Sequence, residues 1–476
     1  MSRKTNEFNI GLKKDINNIL SKKCFLPVLK HYSDKFNIPL DVSSLYIKQR
    51  ISRCFIMKSD KFDRKLDNAY IIVSIIKYFS FLIYTLSLSS RKNLVESKKF
   101  ELLIEGIQSQ SEIDRWLKLE HEFNLDNTVF IAKSEMGNVI KSKHNISVNK
   151  SMHNYERKFL IRLFFKSFFH DIFFLVRSSL NLGINLVHIH TLYVNDYLYY
   201  LNVFQNCRAK FMIQDRNLGM TNALKNHLFI KSGGNLSTCV QKNIVQHNAN
   251  SLFFDTDILF TLGEETAEDL FDFGARISNV IPVGSLAMES MGALSDITSQ
   301  NSNNSKEIDI LYIGINAVNV KREDYIEYYN SVKWLANLSI TYPNLRILIK
   351  HHPSWNDDAI ECNIIKNSNI KYLDKALDSY QLSSQSNLIV TYGSTMGYEL
   401  IGCGHKVLFF DPNNANPFLI DSLNRSKNVI KEYNIAELML GEIDKIPDIK
   451  DKRKYCICNE NVSKSIYQYL KNKKNT

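Results

Sequence analysis

No cysteine framework holds this chain of 476 residues together. Its eight cysteines (Cys24, Cys54, Cys207, Cys239, Cys362, Cys403, Cys456, Cys458) follow no disulfide spacing, which in a chain this long predicts free thiols in a reducing cytosol. Zinc spacings are missing too. Cys456-Ile457-Cys458 is too tight for the usual tetrahedral pair and no histidine-rich partner follows, so it reads as structural. The absence of an Arg-rich helix and of an aromatic RNP-like strand removes the nucleic-acid modules. The first residues lack the basic, apolar, small-residue order of a signal peptide. Acid is also in short supply: 49 Asp and Glu stand against 60 Lys and Arg, giving a net charge of +11 and a pI near 9.0. That excess calls for an anionic partner. With nucleic acid set aside, the anionic face of a membrane is the expected partner. The expected location is the cytoplasm, with peripheral attachment to the inner membrane.

Hydrophobic content of 44% and charged content of 23% are those of a globular chain, and the length suits two or three domains. Residues 1–115 read as a helical N-terminal region. Within it, Ala69–Leu88 is nearly long enough to span a bilayer. Lys77 near its middle costs about 2.5–3.5 kcal/mol there, while each large apolar side chain returns only about 0.3–0.6. A buried or interfacial helix is therefore expected. Tyr155–Val176 interleaves Phe and Leu with Arg157, Lys158, Arg162 and Lys166, a pattern suited to an interfacial helix or to a core helix with a basic edge.

Asn127–Lys133 reads as the first strand of a sheet, and from Asn185 a βα period becomes regular. Strands are expected at Leu186–His190, Lys210–Asp215, Ser237–Gln241, Asp257–Leu262 and Asn279–Gly284. Helices are expected at Asp196–Phe204, Leu218–Lys231 and Glu264–Phe273. Residues 294–306 are polar, with little to bury, and read as a linker. Beyond it the period restarts at Ile308–Gly314 and runs through helix-spaced Tyr325 to Leu338. The fold class is therefore α/β: two doubly wound, Rossmann-like domains at 116–293 and 307–476, with a cleft between them. A last helix near Val462–Leu470 is placed to cross back.

Two stretches in the second domain carry the chemistry. Asn387–Tyr392 is a buried strand that runs into Gly393-Ser394-Thr395 and a helix, then Gly402-Cys403-Gly404 and a further strand, Lys406–Asp411. A strand feeding a helix through Gly-Ser-Thr makes an anion site, because N–H groups at the helix start face outward with partial positive charge. Glu399, about one turn on, is placed to accept from ribose hydroxyls. Upstream, Leu345–Lys350 is another buried strand, tipped by His351-His352-Pro353. Both tips would reach the same carboxyl edge, where open α/β sheets bind ligands. Asp255-Thr256-Asp257 has the look of a metal-binding acid pair, but it precedes a strand, at the wrong edge for a cleft, and reads as a strand start.

The segment from about 255 to 415 resembles the GT-B glycosyltransferases of bacterial surface-polysaccharide synthesis. It is similar within that group to capsule and lipooligosaccharide transferases, including sialyltransferases with a His-Pro motif and a later Ser-Ser/Thr motif. The glycerophosphotransferases of wall teichoic acid share that pair. The resemblance implies metal-independent transfer, without cofactor, from a nucleotide-sugar donor to a surface polysaccharide or lipid-linked glycan acceptor; a CMP-linked sugar is one candidate donor. The His-Pro histidine maps onto His352. The departing charge would fall to His352, Lys350 and the helix start at Gly393, Ser394 and Thr395, with Glu399 on the ribose. A base for the acceptor hydroxyl has to come from the first domain. Asp215 at a strand tip is the best placed, ahead of His190, Gln241 with Lys242, and His247. The chain departs from the pattern in carrying Gly393-Ser394-Thr395 where paired serines are usual, and Gln241-Lys242-Asn243 where Gln-His-Gly is frequent. A CDP-alcohol phosphotransferase, a nucleotide-sugar 2-epimerase and a non-catalytic binding protein are the alternatives.

Overall fold

The computed structural model describes residues 2–56, 61–88, 98–107, 112–113, 115–116, 127–132, 146–148, 157–165, 167–215, 222–244, 251–291, 307–314, 324–353, 355, 358–412, 416, 419–431 and 449–473. The expected linker at 294–306, His247 and residues 155–156 lie outside them.

Four helices open the chain: α1 (Ser2–Leu20), α2 (Phe25–Phe36), α3 (Leu40–Arg53) and α4 (Ile71–Leu88). The first sheet has seven strands: β1 (Lys98–Ile107), β2 (Thr128–Ala132), β3 (Ile146–Val148), β4 (Cys207–Gln214), β5 (Leu236–Val240), β6 (Asp255–Thr261) and β7 (Arg276–Pro282). Their order is β3-β2-β1-β4-β5-β6-β7 and every pairing is parallel. The second sheet takes β8 (Ile308–Ile313), β9 (Ile347–Lys350), β10 (Lys371–Tyr372), β11 (Ser386–Thr391), β12 (Val407–Phe410) and β13 (Val429–Ile430), in the order β10-β9-β8-β11-β12-β13, again all parallel. Both sheets wind outward in two directions from their first strand, so each has a switch point, at β1/β4 and at β8/β11. The central strands are buried on both faces: Ile310, Leu311, Tyr312, Leu388, Ile389 and Val390 are all fully enclosed. This explains why they read as continuous apolar runs without alternation.

Several expectations fail here. The helical region does not extend to 115, because β1 occupies 98–107 at the centre of the first sheet and precedes the strand at 128–132. Nor is that region a separate domain. Leu12, Val28, Tyr46 and Leu82 share one core with Leu103 of β1 and Leu259 of β6. Leu186–His190 is not a strand but the first turns of a long helix, α6 (Leu186–Asn206), which follows α5 (Phe168–Leu182). Asn185 caps α6 by accepting from the His188 N–H. His190 thereby points into the helical core, its two ring nitrogens each 3.2 Å from a tyrosine hydroxyl, those of Tyr32 and Tyr78. Burial, with help from Lys35 and His31, pushes its pKa well below the ordinary histidine value. His190 is thus a packed, neutral core residue and not a strand-tip base. The helix expected at Glu264–Phe273 also shrinks, to Asp269–Asp272.

The chain then returns. The segment after Asp451 threads between the domains: Glu264 and Glu265 donate N–H bonds to the Arg453 and Lys454 carbonyls, and Ile457 donates to Leu262 at 2.8 Å. Its backbone runs so close that a Cβ at Gly284 (φ +103°) would lie 2.4 Å from the Ile457 carbonyl oxygen, so glycine is required there. The last helix, Val462–Lys473, seats Val462, Ile466 and Leu470 against Leu102, Ile104 and Phe260 of the first domain. Cys456-Ile457-Cys458 belongs to this crossing, and none of the eight cysteines forms a disulfide. Two doubly wound domains linked by a returning C-terminal helix are the GT-B arrangement.

Candidate active site

β9 and β11 flank β8 and are parallel to it, with Ile313 level with Lys350 on one side and with Thr391 on the other. The His351–Pro353 tip and the Gly393–Thr395 turn therefore leave the sheet side by side at the switch point. The helix that follows, α7 (Thr395–Gly402), packs Gly397 against Phe409 and Thr391, where a Cβ would approach to 2.6 Å. This close packing fixes where the helix start sits.

The helix start is only partly open. Ser394 is its N-cap, the side chain accepting from the Met396 N–H at 3.3 Å, while its own N–H donates to Thr391 Oγ1. The Thr395 N–H has no partner among the described residues, and Thr395 Oγ1 accepts from the Ile244 N–H at 3.2 Å. That last bond crosses the cleft, since Ile244 follows β5 of the first domain. Glu399 makes a second crossing. Its Oε1 accepts from Ser285 Oγ at 2.5 Å and its Oε2 from Tyr380 Oη at 2.8 Å. Burial raises the pKa of this carboxyl, with the two hydrogen bonds acting in the opposite sense. A ribose hydroxyl at Glu399 would take the place of one of these donors.

The other tip divides its labour. Lys350 is buried and its ammonium donates to the carbonyls of His351 and Lys375, both at 2.9 Å; burial lowers its pKa. His352 is exposed at the tip, and its pKa is lowered by partial burial and then by Lys350. His351 turns inward as strand alternation requires. Its Nε2 lies 2.9 Å from Glu361 Oε1, its ring stacks on Trp355 at 4.4 Å, and its Nδ1 lies against Gly314 at the tip of β8. This histidine–carboxylate pair stiffens the base of the loop that presents His352.

Across the cleft, Asp215 follows β4 at the first switch point. Both its oxygens accept from Arg115 Nη2, at 2.8 and 2.6 Å, and both side chains are largely buried. Lys242, two residues from the Ile244 bridge, pairs with Glu112 at 2.5 Å; burial and the nearby Arg115 lower its pKa, against the pull of Asp215 and Glu112. Gln241 has no freedom for catalysis: its amide oxygen accepts from the Leu262 N–H and Thr266 Oγ1, and its amide nitrogen donates to the Thr266 carbonyl. Asp255 and Asp257 begin β6, as the sequence suggests. Asp255 pairs with Arg276 and Asp257 accepts from the Ser237 backbone and hydroxyl, so neither faces the cleft.

Arg115, Glu112, Ser285, Tyr380 and Glu361 are the groups the sequence did not mark. Each meets its partner across a separation of 10 to 130 residues, and no local motif announces such a pairing.

Neither a protein-family model nor a curated protein matches the sequence. Solved structures do match. The S. aureus MnaA–UDP co-structure is 11% identical, covering 79% of this chain and 97% of that one, with a TM-score of 0.47. UDP-GlcNAc 2-epimerase from Neisseria meningitidis bound to UDP-GlcNAc is 13% identical, covering 79% and 100%, with a TM-score of 0.46. The wall teichoic acid polymerase TagF is 10% identical, covering 86% and 98%, with a TM-score of 0.45. Identity this low gives no residue a role.

Proposed function

We propose that the protein is a glycosyltransferase that moves a sugar from a nucleotide-activated donor onto a surface polysaccharide or lipid-linked glycan. The observation that carries this reading is the meeting of three elements at one cleft: the His352 tip, the Thr395 helix start beside it, and the first-domain edge bridged to Thr395 through Ile244. In this reading the donor phosphate lies between His352 and the Thr395 N–H, where charge growing on the leaving oxygen meets donors already in place. Glu399 holds the ribose. The bond from the anomeric carbon to the phosphate oxygen breaks, the bond to the acceptor oxygen forms, and the acceptor's proton passes to Asp215. For that transfer Arg115 gives up one of its two contacts to the carboxylate.

The alternative reading of the same site is transfer of a polyol phosphate from a CDP-alcohol. A nucleotide panel separates the two. Thermal melting in the presence of CMP, CDP, UDP and GDP should give a clear rise with one nucleotide and little with the others. CMP points to a CMP-linked sugar, and CDP to polyol phosphate transfer. No rise with any nucleotide at millimolar concentration would overturn the donor site.

A further inference from the structure

We infer that the face formed by α4 and α5 seats the protein on an anionic lipid bilayer, lying in its surface without crossing it. Asn68–Ser87 is long and apolar enough to cross a membrane, yet only 28% of it is buried, so it is not a core helix of the ordinary kind. Its buried stripe is narrow and regular: Ile71, Ser74, Tyr78, Leu82 and Thr85 face inward. That stripe is anchored by polar bonds, with Ser74 Oγ accepting from Asn185 Nδ2 at 2.8 Å and the Tyr78 hydroxyl 3.2 Å from His190 Nε2. A spanning arrangement would break both and strip α4 from α6. The helix is therefore held flat against the domain, with the rest of its circumference turned outward.

What it turns outward is large and apolar. Ile72 (71% exposed), Ile76 (60%) and Phe79 on α4 join Phe169 (85%) and Phe173 (71%) on α5. The two helices touch where Phe79 and Phe168 meet, ring centroids 5.5 Å apart, so the patch is continuous. Exposed apolar surface of this kind marks an interaction site.

Charge selects the occupant. Lys77 on α4 and Arg177 on α5, one turn from Phe173, stand exposed, and Arg162 is exposed in the turn ahead of α5. The only carboxylate of α4 and α5 is Asp171, which is buried and paired with Lys35. Long basic side chains among aromatics suit the boundary between acyl chains and anionic headgroups. Self-association through the same patch would bring those cations against their own copies.

The test is co-sedimentation of the full chain with vesicles of phosphatidylcholine alone and of phosphatidylcholine with phosphatidylglycerol. Expected is binding to the anionic vesicles, weakened by salt and released by alkaline carbonate. The double variant Phe169→Ser/Phe173→Ser alters only exposed side chains, so melting and nucleotide response should stay unchanged while vesicle partition falls by about tenfold or more. Retention of full vesicle binding by that variant would overturn the proposal. So would protein that only detergent extracts, which means a spanning helix. A wild type that ignores vesicles but forms a dimer abolished by the variant would make the face a protein interface, and would also overturn it. A failed nucleotide response with intact vesicle binding would count against the donor site alone.

Discussion

Replacing His352 with alanine is expected to lower turnover by roughly a hundredfold or more, the scale of losing one preorganised donor to a developing oxyanion, while melting stays close to that of the unchanged protein. The side chain is exposed at a strand tip, so its removal opens no cavity. The loop beneath it is held independently by the His351–Glu361 contact and the His351–Trp355 stack. Because the phosphate charge grows as the sugar leaves, the loss should fall on kcat more than on KM. The pH profile carries a second signature. Burial and then Lys350 lower the pKa of His352 in the free protein, so it gains its proton below the ordinary histidine range. A limb of the kcat/KM profile, which reports the free protein, should therefore lie below the ordinary histidine range and vanish in His352→Ala. Full turnover with normal melting would remove His352 from the chemistry.

The second large effect is expected at Asp215. Asp215→Asn keeps the shape and can still accept from Arg115, but it cannot take a proton. If Asp215 is the acceptor's base, turnover falls by about a hundredfold to ten-thousandfold. The donor's thermal shift should be unaffected, since that site lies across the cleft. Arg115→Gln separates the catalytic from the structural role. It removes the Arg115 contact to a carboxylate that is 3% exposed and leaves Lys242 as a nearby cation, so it should lower stability on the scale of one charge-assisted hydrogen bond, about 1.5–3 kcal/mol. Asp215→Asn with full turnover would mean that Asp215 serves only to hold Arg115.

How far the sequence reaches depends on the distance over which its signals act. The second sheet is legible because its central strands, buried on both faces, write themselves as unbroken apolar runs, and because Gly393-Ser394-Thr395 is a local strand-to-helix signal. Ser394 as N-cap and the strand start at Asp255 follow from the same local rules. Leu186–His190 misleads because Val-His-Ile-His alternates as a strand would, while the deciding forces are the Asn185 cap and the bonds of His190 to Tyr32 and Tyr78, 158 and 112 residues away. β1 escapes notice because no glycine or proline sets it off from the helices before it, and its pairing with β4 spans over a hundred residues. The site shows the same division. Strand tips are local and readable. The partners of Asp215 and Glu399, Arg115 and Ser285, come from 100 and 114 residues away and belong to the tertiary structure.

In the proposed site the His352 tip and the Thr395 helix start hold one nucleotide phosphate between them. A crystal structure of the protein with the nucleotide that raises its melting temperature most tests this directly. Expected are a phosphate oxygen about 2.7–3.1 Å from the Thr395 N–H, His352 bonded to the same phosphate and a ribose hydroxyl on Glu399 in place of Ser285 or Tyr380. A nucleotide bound with its phosphates at the first-domain edge, or with Glu399 still clasped by both donors and the ribose elsewhere, would contradict it.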